Sequence, residues 1–163
     1  MYQSVIMSVV RKLVDPSVPT EVAKNVWIGD MVVAKDFRFF VNKHIKRVVN
    51  CTPDVPCYFD WCDYVRIPVG DSSSKSQNEI MKKYIPIAVK FIMDNPPSDD
   101  NAVLIHCHVG VSRSCTIAAA LLRACCADTI PQALSMVVSK RPVAFFNGSS
   151  VNFKKALYDN FGS

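Results

Sequence analysis

The chain has 163 residues, half of them hydrophobic and a fifth charged, which suits one compact domain with a core of its own. The formal net charge is +5, yet Lys and Arg are spread along the chain, so neither nucleic acid nor a membrane is expected as a partner. A mild positive field would still draw anionic substrates. No apolar run is long enough to cross a bilayer, and the first thirteen residues lack the pattern of a cleaved leader. The seven cysteines are Cys51, Cys57, Cys62, Cys107, Cys115, Cys125 and Cys126. An odd number with two adjacent argues against a secreted disulfide framework, and their spacing does not suit zinc. Reduced thiols in an intracellular protein, cytoplasmic or nuclear, are the expectation, with no metal or cofactor.

Tyr2, Val5, Ile6, Val9, Val10 and Leu13 recur at helical spacing, so residues 1–20 read as an N-terminal amphipathic helix and a linker containing Pro16 and Pro19. Residues 21–163 read as the main domain. Asn25–Gly29 (NVWIG) predicts a strand, Val32–Lys43 a helix and Ile45–Asn50 (IKRVVN) a second strand. Cys51–Pro56 is a loop with two prolines, and Tyr64–Pro68 a third strand that leads into the polar segment Gly70–Ser76. Helix resumes near Gln77, with Ile80, Tyr84, Ala88, Phe91 and Ile92 as its stripe, and stops at Asn95-Pro96-Pro97. Ala102–Ile105 is short, continuous and β-prone, as in a strand buried on both faces. Ser112–Ala127 reads as a buried helix, Thr129–Lys140 as a helix N-capped by Thr129, and Phe153–Tyr158 as a last one. Strands alternating with helices predict an α/β fold with a central, mostly parallel sheet flanked by helices.

The chemistry concentrates in Val103–Ser114, VLIHCHVGVSRS. A buried strand runs into a loop of small residues, and the loop runs into a helix. Such a loop turns successive N–H groups toward one point, and the helix behind it aims its positive end there, which suits a tetrahedral phosphate. Cys107 opens the loop and Arg113 closes it, with five residues between them. Arg113 can grip two phosphate oxygens with its planar fork. The same donors favour a thiolate at Cys107, the form needed for attack on phosphorus. Gly110 sits where the backbone must approach the anion closely or take a positive φ.

HCHVGVSRS resembles the HCxxGxxRS loop of the cysteine-based protein tyrosine phosphatase superfamily, and within it the dual-specificity phosphatases of small atypical or viral type. YVRIPVGD (Tyr64–Asp71) is similar to that family's I-P-x-x-D segment, NVWIG and IKRVVNCT to its first strands, and the resemblance covers roughly residues 22 to 158. It implies phosphoprotein substrates and a role for each matching position. Cys107 would form a cysteinyl-phosphate, bound by Arg113 and the loop residues His108, Val109, Gly110, Val111 and Ser112. Asp71 would protonate the leaving oxygen and later take a proton from water. Ser114 would stabilise the departing thiolate, and His106 would orient the loop and help to hold the sulfur. His108 is expected to point outward, more a spectator than a ligand. Asp60, Asp63, Asp99 and Asp100 are read as solvated loop charges, and the basic stretch Lys43–Arg47 as a solvated helix end.

A chain of this length has little room for the segment that deepens the pocket of larger tyrosine phosphatases, so phosphoserine and phosphothreonine should reach the sulfur as well as phosphotyrosine. The loop lacks the lysines usual in phosphoinositide phosphatases and departs from the HGxNR pattern of RNA 5′-triphosphatases. Those two activities are the alternatives within the superfamily, and a non-catalytic phosphoprotein-binding module is the alternative outside it. After Arg141-Pro142, FFNGSSVNF departs from the family's Pro-Asn-x-Gly-Phe run, and NPPSDDN looks like an insertion far from the chemistry. The N-terminal stripe must be covered, either by the chain's own body or by exchange in a homodimer, an arrangement that some small viral relatives use.

Overall fold

Ala102–His106 (β5) is the strand around which the rest is arranged, and all five of its residues are buried. In the computed structural model, which describes residues 2–6, 15–145 and 153–162, it lies at the centre of a five-stranded sheet. The other strands are Thr20–Ala23 (β1), Val26–Gly29 (β2), Ile45–Asn50 (β3) and Asp63–Arg66 (β4), in the order β1-β2-β5-β3-β4. Strands β2, β5, β3 and β4 run parallel, and only the edge strand β1 is antiparallel. The mostly parallel sheet expected from the sequence is therefore present. Strand β1 was not expected: it is four residues long and turns back at Lys24-Asn25, where Asn25 takes the left-handed region at φ 63°.

Alternation along β5 divides the core. Val103 and Ile105 join a large cluster with the helices Lys75–Met93 (α2), Arg113–Cys125 (α3), Ile130–Lys140 (α4) and Lys154–Phe161 (α5). Ala102 and Leu104 join a smaller one with Phe39 and Phe40 of the helix Phe37–Lys43 (α1). The predicted helix over 32–43 is in fact broken. A 3-10 turn covers Val33–Lys35, and Asp36 then caps α1, its carboxylate accepting from the Phe39 N–H at 3.1 Å. Helix α2 begins at Lys75, two residues before the expected start, because Ser74 caps it. Pro86 interrupts its ladder, and the Lys82 carbonyl that Pro86 cannot reach accepts instead from Asn160 Nδ2 at 3.0 Å.

The basic stretch 43–47 is not uniformly solvated. Lys43 and Lys46 are exposed, but Arg47 is buried on β3 and donates to the carbonyls of Phe91, Ile92 and Asn95 and to Asn101 Oδ1. It closes the C-terminal end of α2, where free carbonyls favour a cation. Part of the NPPSDDN segment is thus occupied in holding Arg47. The N-terminal stripe and FFNGSSVNF lie partly outside the described residues, at 7–14 and 146–152.

Candidate active site

Strands β3 and β5 end level with each other, Asn50 opposite His106. The loops that follow them therefore lie side by side, outside the carboxyl ends of parallel strands, where α/β sheets place their ligands. Residues 107–112 connect β5 to α3, and Gly110 takes φ +73°. A Cβ there would come within 2.8 Å of Arg141 Nη2 and 2.9 Å of the Gly29 carbonyl oxygen, so only glycine fits.

Cys107 is 2% exposed. Its sulfur receives the Gly110 N–H at 3.2 Å and lies 3.3 Å from the Ser114 hydroxyl. Two neighbouring thiols are held protonated by burial. Cys115 donates to the Gly110 carbonyl, and burial pushes its thiol up to about 12; burial also pushes the Cys51 thiol well up. Those two stay protonated, whereas the surroundings of Cys107 supply donors to a sulfur anion.

Arg113, 4% exposed, opens α3 and donates through Nη1 to the Val69 carbonyl at 2.9 Å. Its Nε lies 3.9 Å from Asp71 Oδ1. One guanidinium thus ties the 69–71 segment to the loop and leaves further N–H groups for a ligand. A cleft of about 380 Å³ opens above them, lined by His108, Val109 and Arg113 of the loop and by segments 53–54 and 70–71. Cys107, Gly110, Arg113, Ser114 and Asp71 are therefore brought together. Val111 and Ser112 are buried, so their backbone is what they can offer an anion.

Two histidines differ from expectation. The His106 ring meets the Cys107 carbonyl oxygen through Nδ1 at 3.3 Å, while the sulfur's partners are Gly110 and Ser114. Burial lowers the His106 pKa to about 4, so the ring is neutral near pH 7. His108 does not simply face solvent. It lines the cleft, and its Nε2 lies 2.8 Å from Asp54 Oδ1.

Sequence reasoning missed Asp54 and the role of Arg141. Arg141 is buried and donates to four neutral acceptors: the carbonyls of Gly110, Val18 and Pro16 and the Thr20 hydroxyl, all at 2.7–2.9 Å. It braces the back of the loop against the linker before β1. No periodic pattern marks such a residue. Asp54 was findable: it sits in the loop after β3, which must lie beside Cys107 if β3 and β5 are parallel neighbours.

A buried strand, a loop whose Cys sulfur receives an N–H and meets a hydroxyl, an arginine opening the next helix and a carboxylate facing it define a phosphate-handling α/β domain. The chain belongs to the dual specificity phosphatase catalytic-domain family, whose family model matches residues 26–161. It is 28% identical to human dual specificity protein phosphatase 9 over 148 residues, 86% of this chain and 37% of that protein. It is 29% identical to Arabidopsis thaliana dual specificity protein phosphatase 1 over 147 residues, 90% of this chain and 72% of that one. The chain thus spans little more than a third of the human relative's length. Among solved structures it resembles DUSP15, with a TM-score of 0.74 and 23% identity over 89% of this chain and 88% of that one. It also resembles human tyrosine phosphatase-like serine/threonine/tyrosine-interacting protein, with a TM-score of 0.71 and 16% identity over 86% and 93%. At those identities the likeness is one of fold.

Proposed function

We propose that the chain hydrolyses phosphotyrosine and phosphoserine or phosphothreonine in proteins, through a cysteinyl-phosphate on Cys107. The observation that carries this reading is the Cys107 sulfur, which receives an N–H bond in the same loop that Arg113 closes. The phosphate would seat on the loop N–H groups and the Arg113 guanidinium. The Cys107 thiolate attacks phosphorus in line, the P–O bond to the side chain breaks, and Asp71 gives the leaving oxygen a proton. Water then attacks phosphorus, Asp71 takes its proton, and the S–P bond breaks to regenerate the thiolate beside the Ser114 hydroxyl. His106 holds the loop through the Cys107 carbonyl and remains neutral.

Among the described residues the cleft is lined by the loop and by the short segments 53–54 and 70–71, which supports dual specificity. Phosphopeptide, RNA 5′-triphosphate and phosphoinositide, offered side by side, test the substrate class. Fastest release of phosphate from the phosphopeptide is expected, and faster release from either of the others would overturn the assignment. Because the fold also occurs in a protein named only as phosphatase-like, turnover of p-nitrophenyl phosphate separates an enzyme from a binding module.

For compartment and assembly the proposals are separate. All seven cysteines are free, which supports a reducing, intracellular setting. Tyr2, Val5 and Ile6 are exposed, Tyr2 at 88%, which supports coverage of that stripe by a second copy. A full-length chain that sediments as a monomer at micromolar concentration would exclude the homodimer.

A further inference from the structure

The turn after β3 is built to hold one carboxylate at the edge of the cleft. Asn50 anchors it, its Oδ1 accepting from the Thr52 hydroxyl at 2.7 Å and its Nδ2 donating to the Val55 carbonyl at 2.8 Å. The Thr52 hydroxyl accepts in turn from the Val55 N–H at 3.0 Å. Arg66 spans the same turn and donates to the carbonyls of Thr52 and Val55 at 2.9 Å each, so its charge is directed into the backbone and not into the cleft. Asp54 therefore projects from a braced turn. Its side chain is 64% exposed, against 35% for His108, to which it is bound.

We propose that Asp54 is a specificity-determining residue that selects phosphoprotein substrates carrying a Lys or Arg beside the phosphorylated residue and rejects those with an acidic neighbour there. This rests on the phosphatase reading above. With the phosphate on Arg113, the residues flanking it on the substrate pass the rim, where Asp54 and Asp71 both present carboxylates. Asp71 lies 3.9 Å from the Arg113 Nε, whereas the side chain that hydrogen-bonds Asp54 is His108, and Arg113 adds only a weaker Coulombic attraction. Hydrogen bonding to His108 holds the Asp54 carboxyl below the ordinary carboxylate range, so it is ionised when a substrate arrives. The pair also has a direction. A free His108 would offer an N–H to an acidic or phosphorylated neighbour. Bound to Asp54, its Nε2 is occupied, and the outward group is a carboxylate. An ammonium or guanidinium can bond the second Asp54 oxygen, and a glutamate meets repulsion.

The test uses the full chain and three phosphotyrosine peptides that differ only in having Lys, Gln or Glu next to the phosphorylated residue. Wild type should favour Lys over Glu in kcat/KM by about tenfold, because attraction to one and repulsion of the other add. Added salt should compress the ratio, as befits a rim charge. Asp54→Asn should bring Lys and Glu to within about twofold, while Asp54→Glu, which keeps the carboxylate, should restore most of the preference. A Lys/Glu ratio that Asp54→Asn leaves unchanged, or a wild-type preference for Glu, overturns the inference. Rapid turnover of all three peptides at equal rates refutes this inference alone. Failure to turn over any of them, or p-nitrophenyl phosphate, refutes the phosphatase reading beneath it.

Discussion

The 107–113 loop has two sides, one that bears the Cys107 sulfur and one that carries carbonyls into the interior. On the inner side four carbonyls have partners: Gly110 receives Arg141 and Cys115, His108 the Met31 N–H, Val111 the Phe145 N–H, and Cys107 the His106 ring. On the outer side Gly110 points its N–H at the Cys107 sulfur, and Arg113 stands at the wall. The contrast shows what an anion site requires. The loop can leave its donors to a ligand only because its acceptors are satisfied from behind.

The outer side should fail through chemistry. Cys107→Ser is expected to abolish turnover while phosphate binding persists, because the donors remain and only the nucleophile is lost. Activity near wild type would move the nucleophile elsewhere. Asp71→Asn should slow turnover by roughly 10² to 10⁴-fold, the usual worth of a positioned acid. The loss should shrink for substrates with good leaving groups, which need little protonation; an equal loss for good and poor leaving groups would point to another acid. Arg113→Lys keeps the charge but not the fork, and kcat should fall by about 10² to 10³-fold, with a smaller change in KM, because the bidentate contact strengthens in the transition state. Kinetics like wild type would remove Arg113 from that role.

The inner side should fail through geometry. Arg141→Lys can satisfy fewer of the four acceptors that Arg141 now reaches. A loop displaced by a fraction of an ångström should lose about 10 to 10²-fold in turnover. Thr20→Val removes a single acceptor and should cost less in the same assay. If Arg141→Lys lowers the melting temperature but leaves turnover of the folded protein intact, the brace supports the fold and not the site.

The two sides also differ in how far the sequence disclosed them. Cys107, Gly110 and Arg113 occupy consecutive positions of one loop, and local spacing displays a local site. The strand-helix order likewise announces β5 and α3, because a short, β-prone apolar run fits a strand buried on both faces and a long one a buried helix. The inner side is assembled over long separations, from Pro16, Val18 and Thr20 to Arg141, and no periodicity joins those positions. Short edge elements were lost for a related reason. Strand β1 has four residues and one polar face, and Asp36 splits a segment whose apolar pattern runs on unbroken. The resemblance implies that His106 orients the loop and helps to hold the sulfur. In a strand successive side chains point to opposite faces, so its ring reaches the Cys107 carbonyl instead.

That ring supplies a last effect, and it is one of stability and not of turnover. The folded state keeps His106 neutral, with a pKa of about 4 against 6.5 for a free histidine, chiefly because burial penalises the charge. Between those values the unfolded chain binds a proton that the folded chain does not, so folding stability rises with pH across this window. The contribution is complete above about pH 6.5, declines as the pH falls, and is gone below about pH 4. Its size is on the order of 3 kcal/mol, from about 1.4 kcal/mol for each unit of difference. The carboxyls of Asp54, Asp99 and Asp159, held below their ordinary range by their hydrogen-bond partners, lose their contribution at and below the acid end of this window, in wild type and variant alike. Urea denaturation of the wild type from pH 7 to pH 4 should therefore show a decline that His106→Asn largely removes, although the variant starts from lower stability. Parallel profiles for the two proteins would mean that the ring charges as readily in the folded state as in the unfolded one, and the inner side of the loop would then hold a cation in place of a neutral donor.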